Sequence, residues 1–177
     1  PTPGDEVLVT GALTGLPKVK CLHPFRAIEN GDEFMERFHL AAQDKLGPFI
    51  LVIEGSIPDE TNKEEGYWAS FGTDPKTGQP ITTCEWIDRL APKAWAVLAL
   101  GTCATYGGIH AMAGNPTGAM GVPDYLGWTC RSQAGLPLVC VPGSPAHPGN
   151  TSAPTLSPLV PPGPPAPASP PALAPRP

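Results

Sequence analysis

The chain has 177 residues, 26 of them proline and 20 glycine, and a formal net charge of −5 at pH 7. That length carries one domain with a real core. The acidic balance argues against a nucleic-acid partner, and no apolar run approaches the roughly 18 residues of a membrane span.

Five cysteines, Cys21, Cys84, Cys103, Cys130 and Cys140, form no CxxC pair. An odd, scattered set is no disulfide framework and fits a reducing compartment or metal ligation. More than half of the prolines lie between Pro142 and Pro177, where Arg176 is the only charged residue and no Phe, Tyr or Trp occurs. Such a stretch cannot bury a sizeable face. A domain over residues 1–148 is expected, followed by a Pro-rich tail over 149–177 that is disordered or polyproline II. The chain opens on Pro1 with no signal-peptide pattern, and its true N-terminus is expected to lie upstream.

In chain order, residues 1–17 read as a short helix or a loop, and Val19 to Leu22 as a short strand in which Cys21 packs. Residues 30–46 read as a helix: Asn30 with Glu33 makes a capping-box pattern, and Phe34, Met35, Phe38, Ala41 and Ala42 recur at helical spacing. His39 on that helix reads as surface or interface. Phe49 to Ile53 is an apolar run expected to form a strand buried on both faces. It runs into Glu54, where a buried carboxylate could relay protons, or could cap the following turn.

Residues 61–80 are polar and turn-rich, with a turn signal at Asp74-Pro75-Lys76-Thr77-Gly78. Tyr67, Trp68 and Phe71 interrupt them, as anchors or as a partner surface. Thr82 and Glu85 form a second capping box, opening a helix whose apolar face is Trp86, Ile87 and Leu90. Cys84 in its first turn reads as packing.

Ala94 to Leu100 is a second buried strand, and Gly101 ends it. Thr102-Cys103 open a small-residue segment that can start a short helix, and Gly107-Gly108 permits positive φ or close backbone approach. Cys103 reads either as a small buried residue in a tight turn or as a thiol placed for metal or redox chemistry. Residues 110–127 form a Gly- and Pro-rich excursion with one short helix near Pro123 to Leu126. Leu136 to Val141 is a third strand, ending in Pro142-Gly143-Ser144-Pro145.

Strands alternating with helices imply an α/β fold with a doubly wound parallel sheet. Sites in such sheets form beyond the carboxyl ends of the strands. Those ends are Glu54-Gly55-Ser56, Gly101-Thr102-Cys103 and Pro142-Gly143-Ser144, and their convergence favours a functional Cys103.

At these loops the chain resembles the small, electron-transfer subunit of [NiFe] hydrogenases. The matching stretches are FILVIEGSIP (49–58), GTCATYGGI (101–109) and VCVPGSP (139–145). Further matches are Gly66-Tyr67-Trp68, GQPITTCEWIDRLAP (78–92) and HAMAGNPTGAMGVPDYLGW (110–128), the last two resembling the uptake or high-affinity branch. The resemblance implies a partial flavodoxin-like domain and a large-subunit partner that carries the Ni–Fe site. It implies a proximal [4Fe–4S] cluster that passes on electrons from H2 oxidation. Cys103 matches one cluster ligand; soft, anionic thiolates suit mixed-valence iron. Gly101, Thr102 and Gly143 would line the cluster, and Glu54 would relay protons near the subunit interface. Residues 66–72 and 110–128 would face the large subunit.

The sequence departs from the family pattern in three places. The N-terminal ligand motif is absent. Ser144 stands where the family carries a cysteine, and a serine oxygen ligates iron less readily. After Pro148 the resemblance gives way to the Pro-rich tail, as in a truncated gene or a shifted reading frame, an expectation that resequencing the locus tests. A cytoplasmic location, or peripheral membrane association through partners, is expected. Competing readings are a non-functional fragment or interaction module using the polyproline tail, a flavin-binding module, and the cluster-bearing subunit of NADH:quinone oxidoreductase type. HAMAGNPTGAMG argues against the last.

Overall fold

The structure, a computed structural model, describes residues 6–7, 19–20 and 31–147. Cys21, Asn30 and the expected Pro-rich tail lie outside the described residues. Strands β1 (Glu6–Val7) and β2 (Val19–Lys20) pair antiparallel, so residues 6–7 are a strand where a helix or loop was expected.

Helix α1 covers Gly31–Ala42 and stops four residues short of the predicted end. Asp44 turns the chain with φ +59, and the Lys45 N–H bonds back to the Leu40 carbonyl at 2.8 Å. This closes the helix end in the manner of a Schellman motif. Lys93 adds a cation there, bonding to the Ala42 carbonyl and pairing with Asp44 at 2.8 Å.

The central sheet has strands β3 (Ile50–Glu54), β6 (Ala96–Leu100) and β7 (Val139–Val141), parallel in the order β3-β6-β7. The register runs from Ile50↔Ala96 to Glu54↔Leu100 and from Leu98↔Val139 to Leu100↔Val141. One face, through Leu51, Ile53, Val97, Ala99 and Cys140, packs on the helical layer with Ile87, Ala104 and Val122. The expectation that the first of these strands is buried on both faces fails at Val52, 50% exposed on the opposite face of β3, the outer strand of this sheet among the described residues. The central β6 meets it, with Ala96 to Ala99 all buried.

Between β3 and β6 lies a hairpin not predicted from sequence, β4 (Ser70–Thr73) with β5 (Pro80–Thr82). Its turn is the predicted Asp74–Gly78 segment, closed by Gly78 N–H to Asp74 O at 2.7 Å. Helix α2 (Thr83–Leu90) follows directly; the Thr82 hydroxyl accepts from the Glu85 N–H at 3.1 Å. Only half of the capping box forms, because the Glu85 carboxylate reaches Arg89.

Trp86 of α2 joins three elements. Its ring stacks on Phe71 of β4 at 5.7 Å and meets Phe38 of α1 at 5.6 Å, and its indole N–H donates to the Phe71 carbonyl at 2.8 Å. His39 lies against the same ring at 5.2 Å, a packing place.

Helix α3 (Gly101–Tyr106) starts where β6 ends, and α4 (Val122–Leu126) falls in the excursion as predicted. The excursion is tied down. Ile57 and Met120 exchange backbone hydrogen bonds at 2.9 and 2.8 Å, and Asp59 N–H bonds to Thr117 O at 2.9 Å. Asn115 accepts from the Ala119 N–H at 2.8 Å and donates to its carbonyl at 2.9 Å. Among the described residues no helix is long and apolar enough to cross a membrane.

Candidate functional site

Parallel pairing puts the carboxyl ends of β3, β6 and β7 along one edge of the sheet. From β6 the chain enters α3 through Gly101, Thr102 and Cys103. From β7 it enters the turn Pro142-Gly143-Ser144. These two turns are bonded to each other: the Thr102 N–H donates to the Gly143 carbonyl at 3.0 Å, and the Gly143 N–H donates to the Thr102 hydroxyl at 3.1 Å.

Cys103 is half-buried. Its carbonyl accepts from Gly107 N–H at 2.8 Å, and Gly107 ends α3 with φ +86, a left-handed position suited to glycine. Gly108, φ +60, then brings its backbone so close that an added Cβ would overlap the Cys103 Sγ. Ser144 is exposed beside Gly143. Just beyond Cys103, Tyr106, Ile109 and Met112 are all exposed, Ile109 by 80%.

Glu54 ends β3 opposite Leu100, so the fold brings it to the same edge. Its side chain is exposed in the chain by itself, so the burial that a proton relay requires is not met here.

The other thiols stand elsewhere. Cys84 packs as expected, buried, with Sγ donating to the Pro58 carbonyl at 3.2 Å; burial pushes the thiol pKa up. Cys140 lies opposite Ala99, on the helix-covered face, and burial raises its pKa too. Cys130 sits in the loop before β7, with Sγ 3.9 Å from the Arg131 carbonyl.

Among the described residues no group of three His, Cys, Asp or Glu is arranged to hold a metal ion. Among the described residues the sheet edge therefore offers one thiol, Cys103, beside the hydroxyls of Ser56, Thr102 and Ser144. This donor set does not fit a four-thiolate iron–sulfur cluster by itself.

A groove of about 430 Å³ opens at the other end of the sheet, lined by residues that precede β3 and β6 together with the hairpin turn. Two of its cations are paired, Arg89 with Asp74 and Glu85, and Lys93 with Asp44. It has no part in the strand-end site.

Sequence reasoning assigned Thr102 to cofactor lining and missed its bond to Gly143, which joins turns 41 residues apart in the chain. It missed Asn115 as well, although an Asn before a Pro is itself a turn signal.

Fold and site together define a parallel α/β domain that presents a cysteine-bearing turn at the carboxyl end of its central strand. The chain belongs to the family described as NADH ubiquinone oxidoreductase, 20 Kd subunit, whose model matches residues 8–156. Among solved structures it is similar to an actinobacterial-type NiFe-hydrogenase from Ralstonia eutropha H16, at 62% identity and TM-score 0.78, over 82% of this chain and 42% of that one. Among curated proteins it is 38% identical to the periplasmic [NiFeSe] hydrogenase small subunit of Desulfomicrobium baculatum, over 71% of this chain and 39% of the relative. It is also 35% identical to the periplasmic [NiFe] hydrogenase small subunit 1 of Nitratidesulfovibrio vulgaris, over 68% of this chain and 33% of the relative. The chain thus spans well under half the length of these relatives. Two of them are named as periplasmic, which overturns the expected cytoplasmic location.

Proposed function

We propose that this chain serves as the small, electron-transfer subunit of a [NiFe] hydrogenase. H2 would be split to two protons and two electrons on a large partner subunit, and this domain would take the electrons. The observation that carries the reading is the placement of Cys103. It sits at the end of the central parallel strand, on a turn bonded to the Gly143–Ser144 turn, in a chain 62% identical to a hydrogenase structure. The relatives reported above carry hydrogenase names, which favours this reading over the NADH:quinone oxidoreductase type.

In this reading Cys103 is one ligand of a proximal [4Fe–4S] cluster, and Gly101, Thr102 and Gly143 frame it. Ser144 and groups outside the described residues would have to complete the set. The exposed Tyr106, Ile109 and Met112, beside Cys103, are the face offered to the large subunit. Glu54 stands exposed at the same sheet edge, and burial by that partner is the condition for a proton-relay role.

Anaerobic iron and sulfide analysis tests the proposal, on the chain alone and co-expressed with a hydrogenase large subunit. About four irons per chain in the complex is the expected result. No iron in either preparation would reduce the chain to a fragment that keeps the fold without the function.

A further inference from the structure

We propose that Thr102 is a positioning residue that locks the Cys103 turn to the Gly143–Ser144 turn, so that both move as one unit. The proposal rests on the reading of Cys103 as an iron ligand. The β6–β7 ladder ends at Leu100↔Val141. Past that pair the two backbones part, one into α3 and the other into the turn at Gly143. Thr102 alone bridges them twice. Its N–H donates to the Gly143 carbonyl at 3.0 Å, and its hydroxyl accepts from the Gly143 N–H at 3.1 Å. Both backbone groups of Gly143 are thus held by one residue, immediately before Cys103 on one side and immediately before Ser144 on the other.

Two close approaches support the lock. A Cβ on Gly101 would stand 3.4 Å from the Gly143 carbonyl oxygen, so the two turns already touch. On the far side of the cysteine, a Cβ on Gly108 would overlap Sγ and stand 3.0 Å from the Cys103 Cα. Cys103 is therefore confined between the Thr102 lock and the Gly108 backbone. The Thr102 hydroxyl faces the other turn and does not cap its own helix, since α3 has no side-chain cap at its N-terminus. Valine keeps the shape of threonine and removes the acceptor, leaving the Gly143 N–H unpaired; serine keeps the acceptor.

The test uses the full chain with Thr102→Val and Thr102→Ser. Two rates are read: amide exchange at Gly143 by NMR, and alkylation of Cys103 by iodoacetamide, with Cys130 as the internal reference. One lost hydrogen bond implies Gly143 exchange faster by about 5- to 10-fold in Thr102→Val. Cys103 alkylation should change severalfold relative to Cys130, and Thr102→Ser should restore both rates. Faster exchange with unchanged Cys103 alkylation would mean a purely structural bond and would overturn the positioning role. Unchanged exchange would overturn the lock itself. Gly108→Ala guards against a Thr102→Val chain that does not fold: it should alter Cys103 alkylation and leave Gly143 exchange as it was, and a change in both, or in neither, would overturn separate confinement from the two sides. Iron content of the unaltered complex is an independent readout; the expected rates without iron would keep the lock and overturn its cofactor role.

Discussion

Thr105 sits two residues after Cys103 and is 2% exposed, and its hydroxyl makes no hydrogen bond. An orphaned buried hydroxyl costs about 1–3 kcal/mol. Thr105→Val keeps the shape and removes the orphan. Urea unfolding should therefore show unchanged or higher stability, by up to about 2 kcal/mol; a loss of that size would mean the hydroxyl has a partner that matters. At this scale the sequence was informative wherever chemistry follows from neighbours along the chain. Cys84 reads as packing because it falls on the apolar side of a capped helix, and it packs. Glu54 reads either as a buried relay or as a turn cap, because burial depends on what lies over the strand; its side chain is exposed.

At the scale of elements, α2 shows how local signals work and where they stop. The Thr82 hydroxyl holds the Glu85 N–H, so Thr82→Ala should cost about 1 kcal/mol, visible as a lower urea midpoint, while Thr82→Ser should cost little. The other half of the predicted box is lost to a competitor the local pattern cannot see: Glu85 pairs with Arg89, which also pairs with Asp74 in the hairpin turn at 3.2 Å. That arrangement has a pH signature. The Lys76 N–H, then Arg89, hold the Asp74 carboxyl below its ordinary range. A depressed folded-state pKa stabilises above the unfolded value of about 3.9, and the contribution disappears as pH falls through the folded value. Asp74→Asn should lower stability at neutral pH, where the ionised carboxylate contributes, and leave it nearly unchanged well below about pH 4, so that the acid limb flattens. A variant that keeps the native acid slope would show that other carboxylates set it.

At the scale of the whole molecule, the exposed row Tyr106, Ile109 and Met112 lies next to the candidate ligand. Ile109, the most exposed of the three, should tolerate charge in the isolated chain. Ile109→Glu is expected to leave the thermal midpoint within about 3 °C, since surface changes stay within about 0.5 kcal/mol, and to abolish co-purification with a hydrogenase large subunit. Retained co-purification would place the partner face elsewhere. Trp86 plays the opposite part. It binds α1, α2 and the hairpin into one cluster with Phe38 and Phe71, the reason the hairpin persists although its strands have only four and three residues.

The alternation of apolar strands with capped helices, the ends of β3, β6 and β7, and the cysteine-bearing turn could all be determined from the sequence alone, because each depends on residues close together in the chain. So could the family, from three strand-end motifs. Only the tertiary structure decided that Val52 of β3 lies in the open, that residues 70–82 pair as a hairpin under Trp86, and that Thr102 holds Gly143 across 41 positions of chain. Such facts depend on which surfaces meet after the chain has folded, and packing of distant segments leaves no periodic trace in a single sequence.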